Sequence, residues 1–243
     1  MSLDRSWRGF TLVELLVVIS IIGILAGLLL PALAAAKRKA QVNSARVDMK
    51  NLAVAINQYE NDYSRFPGTN VTNVTPPPDV TYGPLPVTAP VVAGTFRVPA
   101  NSDVMMILMD VDIPGMINEG HAKNPQQHAY FEPKSVSNVN SPGVSILDYQ
   151  FRDPWGMPYV ITMDMNYDNR CRDALYSNPA VSLQSPTAGY KGLVPINNPS
   201  GSPAIVFELN APVMIWSWGP DRQATNTVSA KATVNADNVL GWE

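Results

Sequence analysis

Residues 10–36 read FTLVELLVVISIIGILAGLLLPALAAA, and this run decides the fold. Glu14 is its one charged residue. At a rise of 1.5 Å per residue, a helix of this length extends about 40 Å, more than the hydrocarbon thickness of about 30 Å of a bilayer. The sequence therefore predicts a membrane-spanning helix over residues 10–36, preceded by a short polar segment over residues 1–9.

Glu14 lies four residues into this helix, where an ionised carboxylate is costly unless it has a partner. An α-amine, with an ordinary pKa near 8, is a natural partner for it. Glu14 therefore indicates a function that involves an amino terminus.

The ordered set of Gly9, Phe10, Thr11, an apolar run that contains Glu14, and Pro31 resembles the amino terminus of type IV prepilins and type II secretion pseudopilins. This resemblance implies that a prepilin peptidase cleaves after Gly9 and methylates the new terminal residue, Phe10. It also implies that Glu14 docks against the amino terminus of a neighbouring subunit in a helical filament. The implied location is the bacterial inner membrane, crossed once, with residues 1–9 in the cytoplasm and the head in the periplasm.

The basic residues around the span do not support that orientation. Arg5 and Arg8 precede the span, whereas Lys37, Arg38 and Lys39 follow it. Counting positive charges would place the larger group in the cytoplasm. We follow the prepilin resemblance for the orientation, which implies that the amino terminus lies in the cytoplasm.

The helical pattern continues over residues 37–65 with apolar residues at spacings of three and four. The stripe comprises Val42, Ala45, Met49, Leu52, Ile56, Tyr59 and Tyr63. Pro67 and Gly68 end it. A short coiled coil is an alternative, but aromatic residues in the stripe favour packing on a sheet. We therefore predict an α+β, pilin-like fold in which a long amino-terminal helix packs on a small antiparallel β-sheet.

The head is expected over residues 66–243 and begins with a proline-rich insertion. Eight prolines fall between Pro67 and Pro99, which predicts a long surface loop over residues 66–100. A short helix is expected to follow to about Asp110, capped by the segment Asn101-Ser102-Asp103.

Strands are predicted in the second half of the head. Residues 152–159, RDPWGMPY, resemble a segment of major pseudopilins in which the chain enters its sheet. Apolar and polar residues then alternate from Tyr159 to Asp168, as in a half-buried strand. Two further strands are predicted, over Ala204–Leu209 and Pro212–Trp218.

Two patterns suggest metal ligands but fit them poorly. Asp164, Asn166 and Asp168 match the start of an EF-hand loop, yet Asn169 and Leu175 occupy its glycine and glutamate positions. We therefore place the three residues on the solvent face of the strand.

His121 and His128, the two histidines of the chain, have Asp110, Asp112 and Glu119 nearby in sequence. Their spacing of seven matches no common ligand pattern, which favours solvated loop histidines.

A calcium site is implied by resemblance alone. Ser217, Gly219, Asp221 and Asp237 occur in the order of the calcium-binding loop of major pseudopilins. The interval between the two aspartates is longer than in that family and nearly free of acids, so turn aspartates remain the alternative. Asp221 and Asp237 are the predicted calcium ligands.

Composition limits the other functions. The chain has 17 Lys+Arg and 20 Asp+Glu, a net charge of -3, which does not favour nucleic-acid binding. It contains one cysteine, Cys171, whose neighbours Arg170 and Arg172 could lower its pKa, and an intramolecular disulfide is impossible. Common catalytic motifs are absent from the sequence, so we do not predict an enzyme.

These observations favour a type II secretion-like pseudopilin that assembles with copies of itself and is processed by prepilin peptidase. Its other expected partners are membrane lipid and an inner-membrane platform with its ATPase. A type IV pilin for adhesion or motility is one alternative. A membrane-anchored extracytoplasmic binding protein is another, and a secretory signal peptide cleaved near Ala32-Leu33-Ala34 is a third.

Overall fold

The computed structural model of the chain describes residues 10–69, 78–86, 95–185, 188–198 and 202–243. The chain divides into two compact units, Met1–Gln41 and Val42–Glu243. Its α-helices are α1 (Leu12–Tyr63), α2 (Ser102–Leu108) and α3 (Pro179–Ser182). Short 3-10 turns cover Glu119–His121, Tyr190–Gly192 and Thr233–Asn235.

The described strands are short and all lie in the head. They are β1 (Asp79–Tyr82), β2 (Thr95–Val98), β3 (Ser135–Val136), β4 (Gly143–Ser145), β5 (Phe151–Arg152), β6 (Val160–Met163), β7 (Leu183–Ser185), β8 (Ala188–Gly189), β9 (Val194–Asn197), β10 (Ile205–Glu208), β11 (Val213–Ser217) and β12 (Val239–Leu240).

The first unit is helical wherever it is described from Leu12 onward. The helix continues through Pro31, which has no N–H to donate to the carbonyl four residues earlier. Every Leu, Ile and Val from Leu12 to Leu33 is between 45% and 80% exposed. Among the described helices, α1 is long and apolar enough to cross a membrane. The predicted helix, residues 10–36 continued over residues 37–65, is thus confirmed to within two residues at each end.

The head is organised around a five-stranded sheet with the order β12-β11-β6-β1-β2. Neighbouring strands run antiparallel except for β1 and β2, which are parallel. Smaller sheets pair β9 with β10, β7 with β8, and β3 with β4 and β5. The prediction of an α+β fold is confirmed, with the correction that two of the described sheets contain a parallel pair, β1 with β2 and β3 with β4.

The predicted apolar stripe of the second unit's helix is buried on one face of this sheet. Ala45, Met49, Leu52, Ile56 and Tyr59 are at most 1% exposed. They share a core cluster with sheet residues of β1, β6, β11 and β12 and with helix α2. The sheet, and not a coiled-coil partner, therefore covers this part of the helix.

The opposite face of the sheet is also covered, which the sequence did not predict. Along β6 and β11, Ile161, Met163 and Ile215 lie in the cluster with the helix, whereas Val160 and Trp216 lie in a second cluster. That second cluster is closed by residues from the segment 171–209, among them Tyr176 and Phe207, so it covers the face that we expected to be solvated.

Part of the proline-rich stretch is sheet rather than loop. Strands β1 and β2 both lie within residues 66–100, and all four residues of β1 are buried. The prediction of one surface loop is wrong there because a few β-prone residues between prolines find partners far along the chain, as Tyr82 does with Ile161. The predicted loop residues 70–77 and 87–94 lie outside the described residues.

Helix α2 confirms the predicted short helix but not its cap. Asn101 precedes the helix without a side-chain capping bond. Its amide instead donates to the carbonyls of Phe151 and Tyr159, at 3.0 and 2.9 Å, and its Oδ1 accepts from the Phe151 N–H at 3.0 Å. Asn101 is fully buried, so it satisfies the backbone of the turn that leads into β6.

The predicted strands at residues 204–209 and 212–218 are observed as β10 and β11 but belong to different sheets. Strand β10 pairs with β9, and β11 pairs with β6 and β12. Strand β12 was not predicted, because a strand of two residues is too short to show a periodicity.

The turn at residues 153–157 ties the sheet together through Asp153, which is fully buried. Its Oδ1 accepts from the N–H groups of Trp155 and Met157, both at 2.9 Å. Its Oδ2 accepts from the Ser217 hydroxyl at 2.6 Å, at the end of β11. Burial raises the pKa of Asp153, and these hydrogen bonds oppose that shift.

We predict that Asp153→Ala destabilises the protein by about 2 to 4 kcal/mol, because it leaves three donors without their acceptor. Ser217→Ala removes one of those bonds and should cost about 1 kcal/mol. Urea unfolding of the full chain in detergent, followed by tryptophan fluorescence, measures both values. Equal effects of the two substitutions would contradict the central role of Asp153.

Candidate functional site

Glu14 closes the first turn of α1 by a reciprocal set of hydrogen bonds with Thr11. The N–H and the hydroxyl of Thr11 both donate to Glu14 Oε2 at 2.8 Å. The Glu14 N–H donates to Thr11 Oγ1 at 3.2 Å. Thr11 thus occupies the N-cap position and Glu14 the third helical position of a capping box.

This arrangement uses one oxygen of the Glu14 carboxylate. Among the described residues, no group donates a hydrogen bond to Oε1. Phe10, directly before the box, is 74% exposed. Gly9, the predicted cleavage residue, lies outside the described residues. Among the described residues, one oxygen of the Glu14 carboxylate thus has no donor, four residues after Phe10, whose amine the predicted cleavage would expose.

The hydrogen bonds between Thr11 and Glu14 were not predicted from the sequence. The signal was available, because a threonine followed three residues later by a glutamate, just before an apolar run, predicts a capping box. The membrane-level carboxylate therefore has a local structural role in addition to any role between subunits.

Asp221 and Asp237 are brought together in the loop that follows β11. The Asp221 N–H donates to Asp237 Oδ2 at 3.2 Å. Asp221 Oδ1 in turn accepts from the Gln223 N–H at 2.8 Å. The two predicted calcium ligands are thus neighbours, although 16 residues separate them in the sequence.

Gly219 permits this approach. Its φ is +73°, and a Cβ at this position would lie 2.1 Å from the carbonyl oxygen of Asp237. A side chain at residue 219 would therefore force the two segments apart. Ser217, the first residue of the resemblance, is directed elsewhere: its hydroxyl donates to Asp153 and accepts from the Gly219 N–H at 3.0 Å.

The long interval between the two aspartates is held by Asn235, which is 1% exposed. Its side chain donates to the carbonyls of Thr225 and Val228, at 2.8 and 3.0 Å, and accepts from the Thr225 N–H at 2.9 Å. These bonds fold the extra residues into a loop of their own. The unusual spacing is therefore compatible with the convergence of Asp221 and Asp237.

A calcium ion requires six to eight oxygen ligands. In the described part of the chain, no group of three or more acidic, histidine or cysteine side chains lies close enough to hold a metal. Asp221 and Asp237 supply two carboxylates, so backbone carbonyls and water would have to complete a site. Calcium at this loop therefore stays a prediction.

The EF-hand-like segment forms a tight turn rather than a continued strand. Strand β6 ends at Met163, and Asp164 is 2% exposed. Its carboxylate accepts from the N–H groups of Asp168 and Asn169, at 3.2 and 2.8 Å. The prediction that Asp164 lies on the solvent face is wrong, because its side chain turns inward to satisfy the backbone of the turn.

His121 is half-buried between two aspartates, which corrects the prediction of a solvated histidine. Its Nδ1 lies 2.7 Å from Asp110 Oδ1, and its Nε2 lies 3.7 Å from Asp112 Oδ2. His128 is exposed, as predicted, and its ring contacts Tyr130 edge-on.

Cys171 is fully buried in the second cluster of the head. Burial raises the pKa of its thiol well above the usual value, and the nearby Asp79 and Asp173 raise it further. The suggestion that Arg170 and Arg172 lower this pKa is therefore wrong. In this environment Cys171 is a core residue and an unreactive thiol.

Comparison with known proteins identifies the amino-terminal segment. Residues 8–30 match the family model of the prokaryotic N-terminal methylation motif. The chain is 41% identical over 86 residues to the type II secretion system core protein G of Klebsiella michiganensis, and 46% identical over 63 residues to that of Escherichia coli K12. It is 38% identical over 65 residues to a fimbrial protein of Neisseria meningitidis serogroup B.

Each match covers only part of this chain and only part of the relative. They cover 33%, 26% and 27% of this chain and 61%, 43% and 38% of the respective relatives. The chain thus spans less than two thirds of the length of each of these proteins. No solved structure matches it significantly.

Proposed function

We propose that this chain, which carries a prokaryotic N-terminal methylation motif, is a pseudopilin of the type II secretion core protein G type. In this proposal it is a structural subunit, without catalytic activity, of a periplasmic filament that supports protein export. Its proposed partners are other copies of itself, prepilin peptidase, and an inner-membrane platform driven by an ATPase.

The main support for this proposal is that the matched motif lies on a helix whose apolar side chains are exposed. Residues 8–30 match the methylation motif, and the large apolar side chains of that helix lie exposed. In a bilayer such a surface contacts lipid, and in a filament it would contact the same helix of other copies. A helix that exposes apolar residues on every side is suited to both environments.

Glu14 supplies the proposed register between subunits. Cleavage after Gly9 would create a positive α-amine on Phe10, and Oε1 of Glu14 accepts no hydrogen bond from the described residues. An amine from a neighbouring copy could donate to that oxygen while Thr11 holds the other. Charge-assisted pairs of this kind are strong where water is excluded.

A type IV pilin is the second candidate, and the similarity to a fimbrial protein favours it. Type IV pilins often close their carboxy-terminal region with a disulfide. The single cysteine of this chain cannot form one within the chain, and it is buried. The higher identities to core protein G support the pseudopilin.

We also propose that the loop after β11 binds calcium. Asp221 and Asp237 would contribute carboxylates, and backbone carbonyls would contribute the remaining protein ligands. The convergence of the two aspartates around Gly219 supports this assignment.

Processing gives the first test. When the chain is expressed with a prepilin peptidase, the mature protein should begin at methylated Phe10, and replacement of Gly9 by a bulky residue should leave the precursor uncleaved. Mass spectrometry of the amino terminus measures this. A terminus near Ala35 would indicate a signal peptide instead, and an intact precursor beside active peptidase would indicate an anchored binding protein.

Glu14 gives the second test, with two variants that separate capping from charge. Glu14→Gln keeps an acceptor for Thr11 but removes the charge, whereas Glu14→Ala removes both. We expect both variants to insert into the membrane with a folded head and both to be lost from sheared filaments. If Glu14→Gln assembles at wild-type yield, the residue acts as a cap and not as a docking charge.

Calcium gives the third test. At a calcium concentration about 100-fold above the dissociation constant, binding stabilises the folded state by about 2.7 kcal/mol. For a head of this size that raises the melting temperature by about 5 to 10 °C. Asp221→Ala should abolish the shift, and Asp168→Ala, an exposed aspartate of another turn, should retain it. Identical melting in calcium and in chelator would reject the site.

A further inference from the structure

Lys37, Arg38 and Lys39 form a band of three consecutive cations, here called the basic band. All three side chains are exposed on α1. They follow directly on residues 15–36, which contain no charged residue. The next acidic residue after Glu14 is Asp48, so the helix carries no carboxylate of its own at the level of the band.

The position of the band matches the thickness of a bilayer. Lys37 follows Glu14 by 23 residues, which corresponds to about 35 Å along a helix. The hydrocarbon core is about 30 Å thick. Glu14 and the band can therefore occupy opposite headgroup layers at the same time, which also spares Glu14 from the hydrocarbon interior.

The arrangement of the three residues suits an extended layer of phosphates rather than one point charge. Successive helical residues are rotated by about 100°, so the band covers more than half of the circumference of α1. Lysine and arginine lay their aliphatic stems on apolar surface and extend their charged ends into the headgroup layer. At least one cation of the band then faces phosphate whatever the rotation of the helix.

We propose that the basic band binds the phosphates of anionic phospholipids at the membrane surface on the carboxy-terminal side of the span. This inference rests on the proposed function only in that α1 crosses a membrane. It gives a role to the three cations that contradict the usual distribution of positive charge around a span.

A second copy of the chain is a poorer occupant of the band than lipid. Copies inserted at the same depth present the same cations to one another, and residues 15–47 offer them no carboxylate. Anionic lipids would neutralise this repulsion and allow subunits to approach within the bilayer. Each cation close to an anionic surface is expected to increase the local affinity for it about fivefold at low salt.

The test is lipid retention by the purified full-length chain in mixed micelles of phosphatidylglycerol and phosphatidylcholine, read by native mass spectrometry. The variant Lys37→Gln/Arg38→Gln/Lys39→Gln removes the band. The matched control, Lys50→Gln/Lys134→Gln/Lys231→Gln, removes three exposed charges from the head unit. Circular dichroism verifies that both variants keep their helix content.

The wild type and the control should retain phosphatidylglycerol in at least tenfold preference to phosphatidylcholine, and the band variant should lose that preference. Equal retention of the two lipids by the wild type would overturn the proposal. Loss of the preference in the control as well would assign it to net charge instead of to the band.

Two further outcomes exclude other occupants. Displacement of phosphatidylglycerol by millimolar inorganic phosphate would show a general anion site and reject the lipid. Increased self-association of the band variant without any change in lipid retention would reject lipid binding and assign the band to contacts between copies. A chain that retains the lipid but forms no filament would contradict the proposed function and leave this inference standing.

Discussion

The structure depends on one constraint: α1 has more apolar surface than the head can cover. Between Val42 and Tyr63 the sheet buries one stripe of it, whereas from Leu12 to Leu33 every large aliphatic side chain is exposed. Leaving these side chains in water would cost on the order of 15 kcal/mol, comparable to the stability of a whole domain. In the proposed function, lipid or other copies of the same helix cover this surface.

The charges at the two ends of the apolar interval support the proposed placement of this helix in a bilayer. Glu14 is held by Thr11 in a capping box, which keeps the carboxylate at the start of the helix and leaves one of its oxygens available. The basic band begins about 35 Å further along the helix. In the proposed bilayer placement these ends lie in opposite headgroup layers, and in the proposed filament the same capping box would present Glu14 to the next subunit.

Sequence patterns predicted the features that depend on local order. The helix stripe that includes Met49 and Tyr59, strands β10 and β11, and the turn before β6 all follow from periodicity or from a motif. Strands β1 and β2, the parallel pair and the second layer of the head were missed, because each depends on pairing between distant segments. A signal for the second layer was present, since the consecutive apolar residues Met214, Ile215 and Trp216 are typical of a strand buried on both faces. Of the candidate sites, the convergence of Asp221 and Asp237 was anticipated, whereas the Thr11–Glu14 box was not.

The central claim is that copies of this helix cover one another. It is tested most directly by placing a photo-crosslinking amino acid, benzoylphenylalanine, at Leu16 in the full chain, with prepilin peptidase and the assembly platform present. The account predicts a ladder of covalent homo-oligomers on illumination, absent in the Glu14→Gln variant, which is expected to crosslink to lipid instead. Crosslinks to lipid alone in the wild type, under conditions in which its amino terminus has been processed, would contradict it.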